Sequence, residues 1–160
     1  MGDKTFKNQK VIITYGTFDM FHIGHLKLLK RLKKRGTKLI VAVSTDEFNR
    51  EKGKRVMIPY KQRAKILKSI KYVDKVIPED NWDQKITDIK KYDVDVFAIG
   101  DDWEGKFDFL KEHCKVVYLK RTKDISTTKL KKSLTNFMSI SRDDIINAFE
   151  IIEALKKDFE

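Results

Sequence analysis

Val11-Ile12-Ile13-Thr14-Tyr15-Gly16-Thr17-Phe18-Asp19-Met20-Phe21-His22-Ile23-Gly24-His25-Leu26 decides the fold of this 160-residue chain. Its first five residues are an apolar, largely β-branched run that reads as a buried strand, and Leu26, Leu29 and Leu32 then recur at helical spacing. The residues between sit on a strand-to-helix turn. The first N–H groups of a helix have no partner within it and the helix dipole favours negative charge there, so a phosphate is the natural guest. His22 and His25, three residues apart, project from one side of that first turn, and Gly24 leaves out a side chain that would block a phosphate. Two of the chain's three histidines fall within these four residues. A helix cap on an exposed surface is the plainer alternative. A metal site is the weaker rival, because Asp19 is the only acid of the turn and no Cys or Glu completes a ligand set.

Outward from this stretch, apolar β-branched runs recur at Leu39 to Val43, Val73 to Ile77, Val94 to Ile99 and Val116 to Leu119. Helical patterns fill the gaps at about Ile23 to Arg35, Tyr60 to Ile70, Trp82 to Lys91, Phe107 to Glu112 and Ser126 to Phe137. This alternation predicts an α/β fold: a doubly wound, Rossmann-like parallel sheet of five strands with helices on both faces. Ligands of such sheets bind beyond the carboxyl ends of the strands, where Thr17 to His25, Ser44 to Lys54, Gly100 to Glu104 and Lys120 to Ser126 converge. Ser141-Arg142-Asp143-Asp144 then reads as a further helix start, followed by a stripe of Ile145, Phe149, Ile152 and Leu155 that must be buried somewhere. The expected organisation is one domain, with a helical extension of the same domain over 133–160.

Composition narrows the function. Hydrophobic residues make up 41% and charged residues 37% of the chain, which is a globular balance. No apolar stretch reaches membrane-spanning length and no signal-peptide core follows Met1, so a cytoplasmic protein without membrane insertion is expected. The lone Cys114, beside an apolar run, reads as a structural thiol. The net charge of +11 invites a nucleic-acid reading. Much of it lies on the first helix, at Lys27, Lys30, Arg31, Lys33, Lys34 and Arg35, without aromatics to stack bases, so a small anionic substrate explains the sign equally well.

Beyond the first turn, three loops carry candidates. Asp101, Asp102 and Trp103 follow the fourth strand, where the acids can accept from ribose or base and the indole can wall a pocket, or where they simply cap the next turn. After the fifth strand, Arg121 offers a permanent bidentate cation and Ser126 or Thr127 an N-cap whose neighbouring amides form a second anion site. The basic loop Glu51-Lys52-Gly53-Lys54-Arg55 can close over phosphates or be only a solvated edge. Arg63 and Lys71 are further cations for a second phosphorylated substrate, or surface charges.

Together, Gly16-Thr17-Phe18-Asp19 with His22-Ile23-Gly24-His25, Lys71-Tyr72-Val73-Asp74, and Arg121-Thr122 followed by Ile125-Ser126-Thr127-Thr128 resemble the cytidylyltransferases of the HxGH nucleotidyltransferase superfamily. Ser44-Thr45-Asp46-Glu47-Phe48-Asn49, Val76-Ile77-Pro78-Glu79 and Gly100-Asp101-Asp102-Trp103-Glu104-Gly105 are similar to the branch whose alcohol phosphate is glycerol 3-phosphate. The likeness covers about residues 10–132. It implies attack of an alcohol phosphate on the α-phosphorus of CTP, giving a CDP-alcohol and pyrophosphate, with Mg²⁺ held mainly by the triphosphate rather than by a protein cage. It implies that His22 and His25 steady the α-phosphoryl group and Lys52 neutralises the triphosphate. Arg121, Ser126 and Thr127 then hold its far end, Asp102 helps bind cytidine, and Thr17, Phe18 and Asp19 line the same pocket, with Arg63 and Trp82 at or near it. It also implies a homodimer, and a product that serves as a teichoic acid or capsule precursor. Alternatives left open are another polyol phosphate, an ATP-using adenylyltransferase and a non-catalytic basic binding protein. Two positions depart from the family pattern: Lys71 stands where Arg is usual, and Asp124 where Gly is usual.

Overall fold

In the computed structural model, residues 9–123 and 125–157 are described. Five strands, β1 (Val11–Gly16), β2 (Lys38–Ser44), β3 (Lys75–Glu79), β4 (Val96–Gly100) and β5 (Lys115–Leu119), form one parallel sheet in the order β3-β2-β1-β4-β5. β1 pairs with β2 from Val11↔Lys38 to Gly16↔Val43, and with β4 through Ile12↔Val96 and Ile13↔Phe97. The uninterrupted burial of Val11 to Tyr15 and of Leu39 to Ser44 follows from this central placement, since a parallel strand covered on both faces needs apolar side chains at consecutive positions. Alternate residues feed two cores. Ile13, Tyr15, Ile40 and Ala42 pack with Ile89, Phe97, Phe107 and Leu110 on one face. Ile12, Leu39, Val41 and Val43 pack with Leu29, Leu32 and Leu67 on the other. Each aliphatic side chain buried this way contributes roughly 1.5–3 kcal/mol.

Winding runs outward from β1 to β2 and β3, then returns across β1 to β4 and β5, so the switch point lies between β1 and β4. The connecting helices are α1 (Ile23–Lys33), α2 (Asp46–Glu51), α3 (Tyr60–Lys68) and α4 (Gln84–Lys91). Each strand and helix expected from periodicity is present, displaced by a few residues at its ends. Residues Asp108–Glu112 wind as a 3-10 helix, and the helix expected from Trp82 starts at Gln84.

One element was not anticipated. The basic loop at 51–55 is largely the end of α2 and its exit: Thr45 Oγ1 caps that helix by accepting from the Phe48 amide at 3.3 Å, and Lys52 is its C-cap. Buried Asn49 donates to the carbonyls of Ser44 and Thr45 and locks the short helix onto the end of β2. The N-cap Thr45 followed by Asp46 and Glu47 in the first turn is the signal that was available.

The chain divides into two compact units, Met1–Asp124 and Ile125–Glu160. The second consists of α5 (Thr127–Met138) and α6 (Arg142–Lys157). Its predicted stripe is helical as expected, but Ile145, Phe149, Ile152 and Leu155 are exposed, as are Phe137 and Met138 of α5. Among the described residues no helix is long and apolar enough to cross a membrane.

Candidate active site

The turn after β1 ends in a cap built from imidazoles. His22, in extended conformation, is the N-cap of α1; its Nδ1 accepts from the Gly24 amide at 3.0 Å, and His25 Nδ1 accepts from the His22 amide at 3.3 Å. The arrangement is a capping box in which two rings replace the usual hydroxyl and carboxyl. The rings lie 3.8 Å apart, stacked, and the Phe18 and Phe21 rings pack against His25. Because each Nδ1 is an acceptor, the proton of a neutral ring must sit on Nε2. Burial holds both imidazoles below their ordinary range, and burial plus the neighbouring His22 takes His25 down to about 4. At neutral pH the turn therefore presents two uncharged rings with their tautomer fixed, each with an Nε2–H to offer. Phe18 and Met20 take left-handed backbone angles, with φ of 53° and 49°, a strain concentrated in this turn.

Next to the turn lies a small open hollow at the carboxyl ends of β1 to β4. Thr17, Lys52, Lys54, Trp82 and Trp103, all expected at the site, are among the residues that line it. Ser44, Glu79 and Lys85 line it too and had not been singled out. Glu79, buried at the end of β3, accepts from Lys85 Nζ at 2.9 Å and from Ser44 Oγ at 2.5 Å, and lies 3.7 Å from Lys52 Nζ. Lys52 donates to Ser44 Oγ at 2.9 Å and stands over the Phe48 ring. Burial above all pulls the Lys52 ammonium down to about 8, with Glu79 opposing and Lys54 and Lys85 adding to the shift. Lys85 sits among the Tyr15, Trp82 and Phe107 rings. A lysine inside a helical pattern reads as a solvated charge; only the helix phase, which turns Lys85 inward beside buried Ile89 and Asp88, would have flagged it.

Two expected contact residues serve instead as scaffold. Arg63 is 1% exposed, and its guanidinium donates to the carbonyls of Ile58, Thr17 and Ser44 and to Asp46 at 2.7–2.8 Å. It ties the β1 turn, the end of β2 and the loop before α3 together beneath the site, and so does not face a second substrate as a free cation. Asp19, buried, accepts from the Met57 and Ile58 amides at 2.8 and 2.9 Å, which pins the same loop to the histidine turn. Thr17 reaches the scaffold as well, donating to Asn49 Oδ1 at 2.9 Å.

The remaining expectations divide. Asp102 and Arg121, at the ends of β4 and β5, form an ion pair with one another, and Thr122 follows half-buried. Trp82 and Trp103 stand 5.8 Å apart, with Lys54 over the Trp103 ring. Lys71 is exposed beside Tyr72, three residues before Asp74, whose backbone and carboxylate bond Leu39 at the start of β2. Within the chain that is the amino end of the sheet, opposite the histidine turn. Ser126 and Thr127 belong to the second unit, where Ser126 caps α5 by accepting from the Lys129 amide at 3.1 Å. Asp124 lies outside the described residues. No group of three His, Cys, Asp or Glu side chains among the described residues is placed to hold a metal ion, and Asp19 and Glu79 already have partners.

A five-stranded 3-2-1-4-5 sheet with an HxGH cap at its switch point defines a domain of the nucleotidyltransferase class. The chain belongs to the cytidylyltransferase-like family, which matches residues 13–153. It is similar to the glycerol-3-phosphate cytidylyltransferase of Bacillus spizizenii, 59% identical over 127 residues, 79% of this chain and 98% of the relative. It is also similar to the enzyme of that name from Staphylococcus aureus, 58% identical over 125 residues, 78% of this chain and 95% of the relative. The fold is shared with a lipopolysaccharide core biosynthesis protein of Thermoplasma volcanium, at a TM-score of 0.62 and 24% identity over 72% of this chain and 99% of that one.

Proposed function

We propose that this protein transfers the cytidylyl group of CTP to glycerol 3-phosphate, releasing CDP-glycerol and pyrophosphate. The observation that carries the reading is the pair of neutral imidazoles whose Nδ1 atoms are taken by backbone amides, leaving two Nε2–H donors at the helix mouth. That pair stands on a chain matched over 98% of the length of a glycerol-3-phosphate cytidylyltransferase.

A phosphate monoester has a second pKa of about 6, so its attacking oxygen arrives without a proton and needs no general base. The oxygen bonds to the α-phosphorus as the bond to the bridging oxygen of the β-phosphate breaks, and pyrophosphate leaves with that electron pair. The protein's part is alignment and stabilisation of charge on the equatorial oxygens. Nε2–H of His22 and His25 supplies donors to the α-phosphoryl oxygens. Lys52, which the family resemblance sets at the triphosphate, is assigned in this reading with Lys85 to the phosphate of the acceptor in the hollow, with Lys54 over Trp103 at its rim and Trp82 as a wall. Asp102 and Arg121 exchange their mutual ion pair for cytidine and triphosphate contacts.

Magnesium enters this reading with the nucleotide, where it would offset the charge of the triphosphate. The reading takes the protein to be a cytoplasmic homodimer whose product feeds a surface polymer; sedimentation of the purified chain tests the dimer. The activity is tested with radiolabelled CTP against a panel of alcohol phosphates, with ATP as the competing nucleotide. CDP-glycerol is the expected product, and its absence while another alcohol phosphate or ATP turns over rejects the reading.

A further inference from the structure

Two of the hollow's lysines converge on one carboxylate. Glu79 is 3% exposed and its two oxygens are used differently. One holds Lys85 directly at 2.9 Å. The other accepts from Ser44 Oγ, and Lys52 reaches it through that hydroxyl, 2.9 Å from Ser44 and 3.7 Å from the carboxylate itself. Both ammoniums also lie over Trp82, at 5.5 and 5.0 Å from its ring centre. Two cations against one anion leave a surplus positive charge in a partly buried hollow, which a lone lysine there would shed by losing its proton.

We propose that Glu79 is a positioning residue for the acceptor phosphate: its carboxylate anchors Lys85 as a fixed cation and, through Ser44, parks Lys52 as the exchangeable one. This rests on the assignment of the hollow to the acceptor. The asymmetry of the two contacts decides which lysine moves. Lys85 is gripped by a direct charged hydrogen bond at 2.9 Å and enclosed by three rings, whereas Lys52, over the Phe48 and Trp82 rings, bonds the Ser44 hydroxyl and meets the carboxylate only at 3.7 Å. Lys52 is also followed by Gly53 at φ 66°, with open space around its Cα, so the chain can adjust there. An arriving phosphate takes the place of Ser44 at Lys52, and Glu79 keeps the pocket from holding bare cations before it arrives.

The charged groups facing Lys52 are Glu79 on β3, Lys85 on α4 and Lys54 beyond α2. Of these only Glu79 holds its proton on, so removing that charge must lower the midpoint of Lys52 from its value of about 8. The test is Glu79→Gln, with Glu79→Asp as the charge-conserving control. The first measurement is the titration of the Lys52 ε-carbon by NMR in free protein carrying carbon-13 lysine. The second is kcat/KM for glycerol 3-phosphate against pH at saturating CTP. In Glu79→Gln the Lys52 midpoint and the alkaline limb of the profile both move down by about one pH unit, the scale of one close opposite charge. The KM for CTP stays within about threefold, and Glu79→Asp recovers most of the shift.

A purely structural ion pair would lower the melting temperature and kcat without moving the limb. If Glu79→Gln does not fold, Ser44→Ala removes the bridging hydroxyl alone and is expected to shift the Lys52 midpoint in the same direction. An unmoved midpoint, or a limb that stays at its wild-type position, overturns the proposal. Failure of the unaltered protein to make CDP-glycerol would reject the functional reading instead, because the titration needs no substrate.

Discussion

The histidine turn and the lysine hollow are neighbours that solve the same problem in opposite ways. In the proposed reaction each presents hydrogen-bond donors to phosphate from a partly buried position. The turn does so without charge: its imidazoles are held below their ordinary pKa by burial, and their orientation comes from backbone amides. The hollow does so with charge, keeping two ammoniums beside a buried carboxylate. Neutral donors suit the α-phosphoryl group, where charge shifts during the reaction and geometry matters most. Charged donors suit the dianionic acceptor, which must be drawn in and held.

The largest expected effect separates capping from chemistry within the turn. His25→Ala is expected to lower kcat by roughly two to four orders of magnitude, as loss of a key donor to the transition state does. His25→Asn can still cap the His22 amide through its side-chain oxygen, so circular dichroism and melting should stay near those of the unaltered protein while kcat remains low. A loss below tenfold in both variants would reduce the turn to a structural cap.

Arg63→Ala strikes the scaffold beneath both regions. It takes the guanidinium away from three carbonyls and Asp46, of which the Ser44 carbonyl and Asp46 keep the Asn49 and Tyr60 donors, and is expected to cost about 3 kcal/mol or more, read as a lower urea midpoint with activity lost in parallel. Stability unchanged with activity lost would mean that Arg63 faces substrate after all.

Lys85→Met should then raise the KM for glycerol 3-phosphate by about tenfold to a hundredfold and leave the KM for CTP within threefold, isolating the hollow from the turn. Equal effects on both substrates would break the division.

The last effect is a pH dependence of stability. His25 titrates at about 4 in the folded chain and near 6.5 when unfolded. Between those values the unfolded state binds the proton more readily, so this contribution is complete above pH 6.5 and is lost as pH falls through about 4. Urea midpoints of the unaltered protein should fall over that window more steeply than those of His25→Gln, and parallel curves would show that His25 is not held neutral by the fold.

The sheet was legible because a parallel strand buried on both faces advertises itself as a β-branched run, and five of them alternate with helical periods. The HxGH turn was legible because rare residues cluster there at one helical spacing. α2 was missed since a six-residue helix offers too short a period, and its basic end looked like a loop. Glu79 and Lys85 were missed because charged residues in strand and helix patterns ordinarily face water.

The amino-acid sequence by itself therefore determined the α/β winding, the phosphate-seeking turn at its first crossover and the family motifs, because each is written in local spacing. Only the tertiary structure decided which nitrogen of each histidine is left to donate, that Arg63 and Asp19 brace the site from within, and that Lys52 and Lys85 share Glu79. The histidine nitrogens are settled by the backbone path of the turn, which spacing alone does not give, and the other two depend on groups up to 46 residues apart meeting at the ends of neighbouring strands, where burial alters both charge and hydrogen-bond supply.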